Sequence, residues 1–293
     1  MKHRILVAGG AGYIGSHVQK QLLEDGFEVA VFDDLSSGDR KNILPGAAFI
    51  EGNILDKAAL NAAMRQEIDG VVHLAAKKAV GESMVKPELY AENNISGSIN
   101  ILNAMAENGV KHIVFSSSAA VYGMPEYVPI DEDHRIAPIN YYGYTKVAIE
   151  ENMRWYARLG KLNYAALRYF NAVGYAADKS ITGKERNPQN LMPIIMEAAT
   201  GKREKFSIFG NDYDTPDGTC IRDYVHVSDL ARAHTLALKT LLCGGASFAV
   251  NLGTGKGTME IPVFPRRCDH FRLALSGVGG AVIYSIAREY LPG

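Results

Sequence analysis

Three glycines placed directly after a short apolar run constrain the fold of this chain more than any other feature. In Val7-Ala8-Gly9-Gly10-Ala11-Gly12-Tyr13-Ile14-Gly15, residues Gly10, Gly12 and Gly15 follow the spacing G-x-G-x-x-G. Residues 5–8 read as a strand leading in and 14–25 as a helix leading out. Where Cβ atoms are missing, the backbone turns tightly and approaches a pyrophosphate, which then rests at the positive end of a helix. Asp33 stands about 20 residues further on, at the end of a second strand-like run, where a carboxylate holds ribose hydroxyls. The same carboxylate repels a 2′-phosphate, so the pattern predicts NAD rather than NADP as cofactor.

The rest of the chain extends this unit. Residues 28–32, 70–75 and 111–116 read as strands, and 56–66 and 87–108 as helices, with Pro87 in a first turn and Gly109 just past an end. Such alternation predicts an α/β fold, a doubly wound parallel sheet of Rossmann type. A helix over 138–160 and a strand over 163–169 follow, after which Gly, Pro, Asn and Asp become dense. We place a boundary near 175. A helix over 228–241 and a strand over 248–252 look like further sheet material. The expected division is thus an NAD-binding domain over 1–175, rejoined by 228–252, and a smaller, partly inserted C-terminal substrate domain within 176–293.

Composition excludes several function classes. The 293 residues carry a net charge of −1, so no basic footprint predicts a nucleic-acid partner. Three widely spaced cysteines and the lack of an HxxxH pair predict neither a disulfide framework nor a metal site. The stretch between Arg272 and Arg288 has no charge but holds fifteen residues. A membrane-crossing helix needs about 20, so no membrane partner is expected. Met1-Lys2-His3-Arg4 runs straight into a strand rather than a signal-peptide core, which predicts a cytoplasmic protein.

A second motif, Tyr142-Gly143-Tyr144-Thr145-Lys146, lies downstream of Ser116-Ser117-Ser118. Tyr142 and Lys146 share one helical face, and an ammonium beside a phenol favours the phenolate. A free tyrosine titrates near ~10 and is otherwise a poor base at neutral pH. Ser118 closes a strand at the sheet edge where doubly wound folds bind ligands, a position from which it can orient a substrate hydroxyl. Tyr142, Lys146 and Ser118 are therefore the candidate catalytic residues. An isolated Tyr-x-x-x-Lys is usually surface decoration, and it is the glycine motif that gives this one weight.

Together these residues resemble the extended short-chain dehydrogenase/reductase family, and within it the branch that epimerises UDP-hexoses. The likeness is carried by residues 7–17, Asp33-Asp34-Leu35-Ser36, Glu51-Gly52-Asn53-Ile54, Lys78-Ala79-Val80-Gly81-Glu82-Ser83, Asn93-Asn94, residues 115–123, the Tyr142 motif and Leu167-Arg168-Tyr169-Phe170-Asn171. Later carriers are Asn190-Leu191-Met192-Pro193, residues 208–213 and residues 217–224, and the likeness ends near residue 258.

The resemblance implies that Gly9, Gly12, Tyr13, Ile14 and Gly15 meet the NAD pyrophosphate, and that Asp33, Asp34, Leu35, Ser36, Ser37 and Gly38 surround the adenosine ribose. It implies Asn53 and Ile54 at the adenine, with Leu74, Ala75, Ala76, Lys78, Asn93, Tyr142, Lys146 and Phe170 completing the pocket. The family has Asp where Asn53 stands and Asn where Asp34 stands. It further implies sugar-nucleotide contacts from Ser118, Tyr142, Asn171, Asn190, Leu191, Arg222 and Arg267. Asn171 and Asn190 read alternatively as turn or cap formers, and Arg222 as an ion pair with Asp223.

The implied reaction is reversible epimerisation at C4 of a UDP-hexose, UDP-glucose to UDP-galactose, through a 4-keto intermediate, in a homodimer. Pro265-Arg266-Arg267 arrives earlier than in the family, as though a helix were missing, and residues 271–293 show no likeness. Two alternatives therefore stay open: another UDP-sugar as substrate, or an NAD-binding remnant with impaired turnover. A dehydratase is disfavoured, because Ser118-Ala119-Ala120 has no acidic pair beside the serine.

Overall fold

Apolar runs separated by amphipathic helices build one parallel sheet. The computed structural model describes residues 2–183, 188, 191–204 and 212–259. Its first half comprises β1 (Arg4–Ala8), α1 (Tyr13–Glu24), β2 (Glu28–Asp33), β3 (Ala47–Glu51), α2 (Lys57–Met64), β4 (Gly70–His73), α3 (Val80–Val85), α4 (Pro87–Tyr90), a π-helical turn (Ala91–Ser96), α5 (Gly97–Glu107) and β5 (His112–Ser118). There follow α6 (Tyr141–Arg158), β6 (Asn163–Tyr169), β7 (Asn171–Val173), α7 (Leu191–Ala199), β8 (Ile221–Arg222), β9 (Tyr224–His226), α8 (Val227–Leu242), β10 (Phe248–Leu252) and β11 (Thr258–Met259).

The sheet runs β10-β6-β5-β4-β1-β2-β3, and each of its pairs is parallel. Strand order reverses between β1 and β4, which opens a crevice at the carboxyl ends of the strands. Alternation along β1 shows how both faces are filled. Ile5 and Val7 join Val18, Leu22, Leu238 and Leu241 under α1 and α8, while Leu6 and Ala8 join Leu60, Ile101, Met105 and Met153 under α2, α5 and α6. β7 and β9 form a short parallel pair beyond β6, and β8 pairs antiparallel with β11.

The doubly wound sheet expected from sequence is present, and β6 has the bounds expected for it. Other details differ. β4 stops at His73, because Leu74 and Ala75 both turn their N–H groups onto the Ala8 carbonyl. β5 covers His112–Ser118 rather than 111–116. The helix expected over 87–108 runs as α4, a π-helical turn and α5, and Asn94 in the π turn is anchored by its side chain. Its side chain accepts from the Lys77 N–H at 2.8 Å and donates to the Lys77 carbonyl at 3.0 Å and the Thr145 hydroxyl at 3.2 Å. π turns of this sort recur at functional sites. β3, α3, α7 and the short strands β7, β8, β9 and β11 have no counterpart among the expected elements.

Three of the buried histidines, His17, His73 and His234, make the fold acid-sensitive. Burial pushes His17 down to about 4, His73 to about 3 and His234 to about 4. Their folded values lie below the unfolded one, so the stability they hold is complete above about pH 6.5 and is lost as pH falls toward about 4. We expect Tm to fall by roughly 10 °C across that window. A melting temperature flat from pH 6.5 to 4 would remove these groups from the account.

Candidate active site

The candidate residues follow β1, β2, β3, β4 and β6 at the carboxyl edge of the parallel sheet, with Ser118 at the end of β5. Gly9 to Gly15 form the β1–α1 turn, and Asp33 ends β2. Gly9 has φ 83°, and a Cβ there would lie 2.5 Å from the Ala75 nitrogen. At Gly15 a Cβ would meet the Gly9 carbonyl and sit 2.7 Å from the Gly10 Cα. Helix α1 starts after Gly12, whose position supplies no side-chain cap, so its first N–H groups remain available to an anion. Asp33 is buried, and its two carboxylate oxygens accept from the Ala11 N–H at 2.9 Å and the Leu35 N–H at 2.8 Å. Burial raises its pKa, against the pull of those two donors.

The remaining predicted cofactor residues line the same edge. Asp34 accepts from Ser36 N–H at 2.9 Å and Ser36 Oγ at 2.6 Å, and receives the Asn53 side-chain amide at 2.7 Å. The two positions that depart from the family pattern are thus bonded to each other. Ser37 and Gly38 continue that loop, Asn53 and Ile54 follow β3, and Leu74, Ala75, Ala76 and Lys78 follow β4. Asn93 lies in the π turn and Phe170 between β6 and β7. A turn in which a Cβ at Gly9 or Gly15 would strike backbone, an uncapped helix start and a carboxylate at the end of β2 fit a dinucleotide.

The candidate catalytic residues sit on α6 and β5. Asn140 caps α6 by accepting from the Gly143 N–H at 2.8 Å, and the Tyr142 N–H donates to the buried Ser83 hydroxyl at 3.1 Å. Tyr142 and Lys146 are both buried. Lys146 Nζ donates to the Ser116 carbonyl at 2.8 Å and lies 4.6 Å from the Phe115 ring centre and 5.7 Å from that of Tyr142. Burial raises the phenol to about 12, partly offset by its hydrogen bond with Ser118, while burial lowers Lys146 to about 7. With the protein alone, burial sets the direction for both groups, and the expected lowering of the phenol by lysine and nicotinamide together belongs to the NAD-bound state. In the protein alone the ammonium is held by Ser116 and Phe115, and desolvation outweighs its field.

Sequence reasoning missed Ser83, Asn94, Thr145 and Glu150, which hold α6 in place. Ser83 and Asn94 stood in the motifs that carry the resemblance, but spacing assigned them no partner. Glu150 lies one turn beyond Lys146, and that spacing was the signal available for it.

Among the residues that the resemblance assigns to the sugar nucleotide, the placements are mixed. The Asn171 side-chain amide and backbone N–H both donate to the Asp223 carbonyl, at 2.9 and 3.0 Å, so part of its role is structural. Arg222 is exposed on β8, and among the described residues it forms no ion pair with Asp223. The Asp223 carboxylate is taken by the N–H groups of Thr254 and Gly255. Leu191 begins α7, whereas Asn190, Arg267 and the altered C-terminal segment lie outside the described residues. Among the described residues no helix is long and apolar enough to cross a membrane.

Crevice, glycine turn and buried tyrosine–lysine pair together define a dinucleotide-dependent α/β enzyme. Residues 5–253 match the NAD dependent epimerase/dehydratase family, and the chain belongs to that family. It is 47% identical over 263 residues to UDP-glucose 4-epimerase of Streptococcus mutans, covering 88% of this chain and 79% of that one. To the enzyme of the same description from Bacillus subtilis it is 45% identical over 264 residues, covering 86% and 78%. Among solved structures it is similar to UDP-glucose 4-epimerase from Brucella ovis in complex with NAD, at TM-score 0.84 and 44% identity over 88% of this chain and 79% of that one. The Stenotrophomonas maltophila enzyme with bound NAD and formylated UDP-arabinopyranose gives TM-score 0.84 and 41% identity over 89% and 81%.

Proposed function

We propose that the chain interconverts UDP-glucose and UDP-galactose by reversible epimerisation at C4, with NAD retained as its cofactor. The observation that carries this reading is the Tyr142 phenol, buried with Lys146 at the carboxyl edge of the parallel sheet, beside the half-buried Ser118 that ends β5. When bound, NAD+ supplies the hydride acceptor that makes C4 oxidation reversible. Tyr142 Oη takes the proton of the sugar 4-hydroxyl and returns it to the 4-keto oxygen. Ser118 Oγ holds that oxygen, and Lys146 opposes the build-up of phenol at the expense of phenolate. Burial of these groups keeps water from the keto intermediate, which turns over in the pocket before its other face is reduced. Arg222, Asn171 and, from beyond the described residues, Asn190 and Arg267 are assigned to the UDP diphosphate and sugar.

The same reading includes a cytoplasmic homodimer. Trp155 and Leu159, 57% and 66% exposed at the end of α6, offer apolar surface for helix pairing.

Purified protein supplied with UDP-galactose and no added cofactor is expected to reach a mixture with UDP-glucose while accumulating no NADH. No turnover by protein that carries NAD would overturn the proposal and favour the remnant reading. Asp33→Ala is expected to weaken NAD retention about tenfold, since a charged acceptor is lost, and to narrow the preference over NADP. Unchanged retention of both dinucleotides would remove Asp33 from the ribose site.

A further inference from the structure

Three consecutive residues of β5 meet three successive turns of α6. Ser118 acts on the Tyr142 phenol and draws its pKa down, the Ser116 carbonyl accepts from Lys146 Nζ at 2.8 Å, and Ser117 Oγ donates to Glu150 Oε1 at 2.5 Å. Tyr142, Lys146 and Glu150 are each four residues apart and share one helical face. The first two carry the proposed chemistry; the third has no part in it so far.

Glu150 is 3% exposed, and a carboxylate so buried needs compensation. Arg168 of β6, 4% exposed, supplies it. Its Nε donates to Oε1 at 3.1 Å and a terminal nitrogen donates to Oε2 at 2.6 Å, while its other terminal nitrogen donates to the Tyr122 hydroxyl at 2.9 Å. Tyr122 in turn donates to Asn251 Oδ1 on β10 at 2.7 Å. Were this all, Glu150 would be a structural staple between α6 and the sheet.

Lys146 makes it more than that. Phe115 and Ser116 of β5 and Tyr142 of α6 lie against its ammonium, Glu150 acts on it electrostatically from one helical turn further along α6, and His73 of β4 feels its charge. His73 is neutral, its Nε2 bonded to Ser98 Oγ at 2.7 Å. Tyr142 is neutral as well, which leaves Glu150 as the one acid acting on Lys146 among the described residues. The cluster holds two buried cations, Lys146 and Arg168, and one anion. Arginine does not give up its proton, so any loss of negative charge falls on the lysine.

We infer that Glu150 is a positioning residue for the reaction, fixing α6 against the β5 serines and keeping the Lys146 ammonium charged beside Tyr142. The inference rests on the epimerase reading for its catalytic consequence, but not for the charge state itself. Burial pulls Lys146 downward and the Glu150 charge pulls it upward. Without that charge the lysine deprotonates at lower pH, and activity that needs the ammonium disappears at lower pH too.

The test compares wild type with Glu150→Gln, which keeps an acceptor for Ser117 and removes the charge. Because it leaves Arg168 without a counter-ion, Glu150→Gln/Arg168→Gln is measured beside it. Titration of ¹³C-lysine-labelled, NAD-bound protein, with the Lys146 signal assigned by its loss in Lys146→Met, is expected to place the midpoint about one pH unit lower in Glu150→Gln. The double variant is expected to shift in the same direction by less. The alkaline limb of kcat moves with the midpoint, while KM for UDP-galactose and NAD content stay as in wild type. A lowered Tm with the Lys146 midpoint unmoved in both variants would reduce Glu150 to a structural staple and overturn the inference. Wild type that binds NAD but turns over no sugar would refute the epimerase reading alone, and the titration would still decide the role of Glu150.

Discussion

Tyr142→Phe is expected to lower kcat about 10³-fold with NAD retained, because the neighbouring titratable groups among the described residues are engaged elsewhere. Lys146 Nζ is bonded to the Ser116 carbonyl, His73 is turned onto Ser98, and burial pushes the Tyr169 phenol far above its usual range. The lost oxygen leaves the aromatic ring in place in a buried position, so Tm should stay within about 2 °C of wild type. Turnover of UDP-galactose, NAD released on denaturation and the melting curve check the three parts separately. A variant within tenfold of wild-type kcat would move the base to another residue.

Gly15→Ala is the second large effect, and it acts on the cofactor rather than on the chemistry. The added methyl meets the Gly9 carbonyl and the Gly10 Cα, both backbone atoms of the turn proposed to hold the pyrophosphate. Neither can move without opening that turn, so NAD content should fall at least about tenfold, with Tm lowered as well. Gly26→Ala serves as the contrast. Gly26 has φ 86° but open space around its Cα, so strain costs stability there while NAD stays bound. Equal NAD content in Gly15→Ala and wild type would remove the turn from the binding site.

How much of this is legible in the sequence depends on whether the signal is local. The glycine turn, the start of α1 and the whole of β6 are written in adjacent residues, and the sheet follows from them. β3 escaped notice because, as the edge strand, it keeps most of its side chains only half-buried, which blurs the alternation around Phe49 and Ile50. α3 has six residues, and Val80, Met84 and Val85 are exposed, so no apolar period marks it. The π turn that splits the long helix arises from bonds between Asn94 and residues 17 and 51 positions away, which no local pattern records. Spacing placed Tyr142 and Lys146 on one face but could not give their depth, and it is depth that sets both pKa values. The same limit hid Glu150 on α6, whose partner Arg168 arrives from β6.

The central claim is that C4 is oxidised and re-reduced within one closed pocket, and UDP-galactose deuterated at C4 tests it most directly. The product is isolated from unlabelled water and its C4 isotope content measured by mass spectrometry and proton NMR. If hydride leaves and returns without meeting solvent, UDP-glucose carries the full deuterium label at C4. Label lost to water at the rate of product formation would contradict the account, since it would mean that C4 is inverted by proton exchange rather than by transient oxidation.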